Sequence, residues 1–69
     1  MTKLPSSEKV ILVLLKNNFT FKSQKGSHQK YVKSDKVVIV PSPGKQIPIG
    51  TLKSISKQAG ITYHEFVNL

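Results

Sequence analysis

Cysteine, tryptophan and arginine are absent from this chain, and its acids number only three, Glu8, Asp35 and Glu65. Each absence excludes something different. Without cysteine there is neither a disulfide framework nor a thiolate metal site. Small secreted domains usually need such staples, so an intracellular, cytoplasmic protein is expected. Without arginine, no side chain can grip a base edge or a phosphate with a bidentate fork. Three scattered carboxylates form neither an acid/base pair nor the cluster that a metal-dependent nuclease normally needs. His28 and His64 lie 36 positions apart and the three carboxylates do not cluster around them, so no metal site and no cofactor are expected. No glycine-rich phosphate loop and no Cys–His nucleophile occur either. Long apolar runs are missing too. The longest, Val10 to Leu15, holds six residues, against the roughly 20 that cross a bilayer. Nothing has the layout of a signal peptide, so a soluble protein with no membrane partner is expected.

What remains is lysine. Eleven of the 69 residues are lysines, and the formal net charge is +8. So short a chain reads as one domain spanning residues 1–69, burying only about 60% of its unfolded surface. Lysine acts toward phosphate as a point charge, giving affinity without base discrimination. The excess charge fits a solubilising surface or an anionic partner, either nucleic acid or an acidic protein.

Along the chain an α-β-β-β-α order emerges. "LPSSEKVILVLLKNN" predicts a first helix, with Ser6 or Ser7 as N-cap and Glu8 in the first turn. Val10, Ile11, Leu14 and Leu15 are its expected apolar face, and Asn17 and Asn18 suit a left-handed stop. "FTFKSQK" alternates Phe19 and Phe21 against Thr20, Lys22 and Gln24, as a half-buried strand does. Gly26-Ser27 is a two-residue hairpin turn of the glycine-first type. "HQKYVK" returns, Ser34-Asp35-Lys36 turns again, and "VVIV" forms a third strand ended by Pro41. "PSPGKQIP" is irregular. A helix from about Gly50 to Ala59 follows, with Leu52, Ile55 and Ala59 on one face and Gly60 at its C-terminal cap. Thr62 and Glu65 read as a capping box opening a short last helix, with Phe66 and Leu69 apolar. The expected fold is α+β, a three-stranded antiparallel sheet with the helices on one face and the other face free.

Strand alternation assigns the free face. Tyr31, a large apolar body, belongs under the helices with Gln29 and Lys33, and Lys33 snorkels outward at the strand end. His28, Lys30 and Val32 then point to the open face. A neutral imidazole near pH 7 can act as a general base.

These residues carry a resemblance. "QKGSHQKY", the hydrophobic strand ending at Pro41, and "GTLKSISKQAGITYHEF" together resemble the HicA family of toxins, also described as YcfA-like, essentially end to end. The most specific stretches are Gly26-Ser27-His28 and Gly50-Thr51-Leu52 through Gln58-Ala59-Gly60. The resemblance implies a minimal double-stranded-RNA-binding-domain-like fold and a ribosome-independent mRNA interferase. It implies that His28, at the histidine of the Gly-Ser-His motif, is catalytic. It also implies an acidic HicB-type antitoxin that covers the active face. Two positions depart from the family pattern. Pro41-Ser42-Pro43 stands where members often have Pro-x-His, and Asn17-Asn18 stands where a glycine commonly ends the first helix.

The chemistry of the residues agrees with that role. Gly26 allows the positive φ of the turn and keeps bulk away from His28. Ser27 offers a hydroxyl to a phosphate or to the imidazole. Lys22, Lys25 and Lys30 offer positive charge. The expected substrate-binding set is therefore Lys22, Lys25, Gly26, Ser27 and Lys30, with Tyr31, Lys30 or water as candidate acid. His64 reads as structural, and Lys53 and Lys57 as a solvated helix face. Two alternatives stay open: a non-catalytic RNA-binding module of the same fold, and a protein-interaction domain.

Overall fold

The computed structural model of the chain describes residues 4–41 and 46–67. Its elements follow in the order α1 (Ser7–Lys16), β1 (Thr20–Lys25), β2 (His28–Lys33), β3 (Lys36–Pro41), α2 (Ile49–Ala59) and α3 (Tyr63–Val67). The strands form one antiparallel sheet in the order β1-β2-β3. This is the expected α+β meander.

Local chemistry explains each boundary. At α1, Ser6 has extended backbone and its hydroxyl accepts the Lys9 N–H at 3.3 Å, so one orphan donor of the first turn is satisfied. Glu8 lies in that turn and Lys16 in the last, both signs favourable to the helix dipole. Asn17 closes the helix through its backbone N–H to Val13 and Leu14, and its side-chain amide donates to the Val13 carbonyl at 2.8 Å. Asn18 takes the left-handed conformation, φ 72°, which asparagine tolerates better than most residues. Gly60 caps α2 in the same conformation, φ 69°, and its N–H donates to the Ser56 carbonyl. The Ser56 hydroxyl donates to the Ile61 carbonyl just beyond.

The core lies between the helices and one sheet face. Val10, Val13 and Leu14 of α1 and Leu52, Ile55 and Ala59 of α2 are buried with Tyr31, Val38, Val40, Ile47, Phe19 and Phe66. Each buried Val, Leu, Ile or Phe among them contributes about 1.5–3 kcal/mol, against a net stability of only about 0.05–0.15 kcal/mol per residue. An antiparallel bridge between Ser6 and Gln46, with the Ile47 N–H donating to the Pro5 carbonyl at 2.9 Å, ties the segment before α2 to the start of α1.

Four expectations change. The buried stripe of α1 is Ser7, Val10, Val13 and Leu14, a spacing of i, i+3, i+6 and i+7, while Leu15 is exposed and Ile11 only partly covered. Phe19 is buried but precedes β1, and Phe21 is 54% exposed. The helices pack against β3, so β1 is an edge strand exposed along its whole length. Phe21 and Tyr31 meet edge to face, with ring centroids 5.7 Å apart. The Thr62–Glu65 pair also differs from a reciprocal box. The Glu65 N–H donates to the Thr62 carbonyl at 3.1 Å, while the Glu65 carboxylate accepts the Asn17 amide at 3.5 Å and so links α3 to α1. Last, β3 runs one residue further at each end than expected and includes Pro41. The partner of Phe66, Leu69, lies outside the described residues, as does most of the irregular segment after Pro41.

Candidate active site

Two turns and one bulge decide what the open face presents. Gly26-Ser27 joins β1 to β2 with Lys25 directly opposite His28. Gly26 has φ 58°, and a Cβ there would meet nothing within 4 Å. Backbone conformation, and not crowding, is therefore what calls for glycine. The Gln24 side-chain amide donates to the Gly26 carbonyl at 3.1 Å and braces the turn from β1. Counting back from it, Gln24 pairs with Gln29 and Ser23 with Lys30.

The register then shifts. Phe21 pairs with Tyr31 and Thr20 with Val32, leaving Lys22 as the extra residue of a β-bulge. The bulge resolves a conflict hidden in the alternation of β1. An uninterrupted ladder from the turn would put Phe21 on the same face as Ser23 and Lys25. One inserted residue returns Phe21 to the face of Tyr31 while Ser23 and Lys25 keep the face of His28.

β2 and β3 pair without interruption, His28 with Pro41, Lys30 with Ile39 and Val32 with Val37. The open face thus carries three cross-strand rows. They are Lys25–His28–Pro41 beside the turn, then Ser23–Lys30–Ile39, then Thr20–Val32–Val37. A depression of about 460 Å³ opens over the first two, lined by Ser23, Lys25, His28, Lys30 and Ile39. Its volume falls in the range of small-molecule sites, about 300–1,000 Å³. His28, Lys25 and Lys30 are all exposed. An imidazole and two ammonium groups therefore share one concavity, with a hydroxyl on one side and an aliphatic wall on the other.

Of the expected site residues, His28, Lys25 and Lys30 are brought together here. Gly26 and Ser27 form the adjoining turn without lining the depression, and Lys22 stands apart at the bulge. Sequence reasoning passed over Ser23 and Ile39. Ser23 was available by counting two pairs back from the turn, whereas Ile39 needed the β2–β3 register. Tyr31 is removed from the candidate acids. It is buried on the helix side, and its hydroxyl donates to the Gln29 side chain at 2.7 Å. Burial also pushes its phenol above the ordinary tyrosine value of 10.0. Lys33, on that same side, puts its ammonium 5.8 Å from the Phe19 ring centroid, a snorkelling geometry with some cation–π attraction. His64 belongs to α3, its ring edge against Tyr63.

Among the described residues no three His, Asp or Glu side chains gather as a metal site would require. No helix among them is long and apolar enough to cross a membrane.

Order and one-sided packing define the class, a small α+β domain with an α-β-β-β-α core and an uncovered sheet face. A family model described as the HicA toxin of bacterial toxin–antitoxin systems matches residues 7–61 of the 69, and the chain belongs to that family. Membership assigns it the toxin's part in such a system and implies an antitoxin partner. No curated protein matches the chain.

Proposed function

We propose that this toxin is a metal-independent endoribonuclease that cleaves mRNA with His28 as its catalytic residue. The observation that carries the reading is the exposed His28 at the turn end of a bare sheet face, sharing a depression with Lys25 and Lys30. His28 takes the proton of a ribose 2′-hydroxyl. The 2′-oxygen forms a bond to the adjacent phosphorus, the bond from phosphorus to the 5′-oxygen breaks, and that oxygen leaves with a proton. The proton comes from Lys30 or water, since Tyr31 lies on the other side of the sheet. Lys25 and Lys30 offset the negative charge that grows on the phosphoryl oxygens. Lys22, Gly26 and Ser27 complete the substrate-binding set, with Lys22 meeting a phosphate farther along the strand and Gly26 and Ser27 shaping the turn. Glu8, Asp35 and Glu65 lie on α1, the far turn and α3, so the site has no carboxylates with which to hold a divalent ion.

The antitoxin of this reading is an acidic HicB-type protein that covers the open face. Complementary charge speeds its capture of a +8 chain. The test is RNA cleavage in excess chelator, wild type beside His28→Ala, with thermal melts showing both folded. Cleavage by wild type alone, with products ending in a cyclic or 3′-phosphate and DNA intact, is expected. Clean 3′-hydroxyl ends would refute the 2′-hydroxyl route. RNA left whole by both proteins yet bound by both would make the chain a binding module.

A further inference from the structure

β3 is apolar on both of its sides, but among the described residues only one side is covered. Val38 and Val40 are at most 1% exposed, whereas Val37 and Ile39 are 47% and 38% exposed. Val32 and Pro41 extend this aliphatic row on the open face, and Ile39 forms a wall of the depression that holds His28. Next to it, about 4.8 Å away across one strand spacing, runs the polar row of His28 and the Lys30 ammonium, with the Lys25 ammonium one strand further on. A cationic strip flanked by an aliphatic strip matches a nucleotide strand laid along the sheet, its phosphates on one side and its bases on the other.

We propose that Ile39, with Val37 and Pro41, is a base ledge that makes single-stranded RNA the substrate of this face. The proposal rests on the nuclease reading for what the adjoining basic row binds. In a duplex the bases are stacked and paired inward, and the wide A-form minor groove offers only hydroxyls, phosphates and base edges to an aliphatic wall. An unpaired strand can splay its bases, and their faces bury apolar surface against Ile39 and Val37. Aliphatic side chains read no hydrogen-bond pattern, so the ledge selects unpaired over paired RNA without naming a base. Among the aromatics, Phe19, Tyr31 and Phe66 are buried in the core, Tyr63 of α3 packs against it, and Phe21 shares a register row with Tyr31 on the opposite face. The aliphatic row therefore takes the place that aromatic side chains hold in stacking platforms.

The test uses the full chain and three fluorescent probes of equal length, all fully 2′-O-methylated: a single strand, the same sequence in a duplex, and an abasic sugar-phosphate strand. None of them depends on cleavage. Ile39→Thr keeps the β-branch while shortening the side chain and making it polar, so the apolar surface of the ledge is lost, and its melting curve serves as the folding control. It should bind the single strand about three- to tenfold more weakly than wild type, with the same salt slope and unchanged binding to the abasic strand. On cleavable RNA its KM should rise with kcat held. Equal binding of all three probes by wild type would overturn the ledge, as would an Ile39→Thr variant that binds the single strand like wild type. The row would then be a surface for a protein partner. Failure of the nuclease reading shows separately, as uncut RNA with normal probe binding.

Discussion

The two faces of this sheet are built from alternate residues of the same three strands, yet they obey different rules. Under the helices, Tyr31, Val38 and Val40 are buried, and the one phenol among them has its hydrogen bond. Across the sheet, His28 and Lys30 alternate with those residues and stay exposed beside Lys25, with Ile39 and Val37 bare. Placing like charges on adjacent strands and leaving aliphatic side chains in water both work against stability. A face that keeps such features is shaped for a partner of opposite charge with apolar surface to share. The lesson is one of division. Stability resides on one side of β2, and the proposed chemistry on the other.

Substitutions on either side can break that division. The largest expected effect is His28→Ala, which should lower RNA cleavage by about 10²- to 10⁴-fold and leave the thermal midpoint where it was. A drop in melting temperature would mean the open face also carries stability. Next is Leu14→Ala in the core. It should cost about 2–5 kcal/mol, read by urea melts, and under conditions where it stays folded its cleavage rate should match wild type. Lys30→Gln should weaken binding of an uncleavable single strand and lower the slope of log K against log salt by about 0.7. An unchanged slope would remove Lys30 from the phosphate path.

The smallest effect belongs to Tyr31→Phe. It should cost about 0.5–1.5 kcal/mol for the lost hydrogen bond to Gln29, with cleavage unaffected, since the phenol faces away from His28. Its signature is in pH. The folded phenol ionises above the ordinary 10.0, so the unfolded chain gives up this proton first, and wild-type stability falls as pH rises through and beyond that value. At neutral pH the contribution is fully present. The Phe variant should show a shallower alkaline decline, checked by paired melts from pH 8 to pH 11. Equal declines would show that Tyr31 is not what sets that limb.

Much of this was legible in the chain, for local reasons. Ser6 supplies the hydroxyl that a first helical turn needs, and Asn18, Gly26 and Gly60 each report a left-handed backbone state that few other residues satisfy cheaply. A two-residue turn at Gly26-Ser27 also forces Lys25 opposite His28, so the first row of the site follows from a count. The apolar face of α1 was less legible. Val10 through Leu15 are apolar without interruption, so periodicity within the run cannot say which residues turn inward, and the packing of α1 against β3 and α3 buries Val13 and leaves Leu15 out. Phe21 was misread for a related reason. Its alternation with Phe19 is real, but no helix covers β1.

Element order, caps, turns and the excess of lysine are consequences of neighbours in sequence, because each rests on the φ, the hydrogen bond or the charge of residues a few positions apart. The bulge at Lys22, the bare side of β3 and the meeting of Ile39 with Lys30 and His28 are consequences of register and coverage. They depend on which strand lies beside which and where two helices run out of sheet to bury, and those are properties of the packed chain.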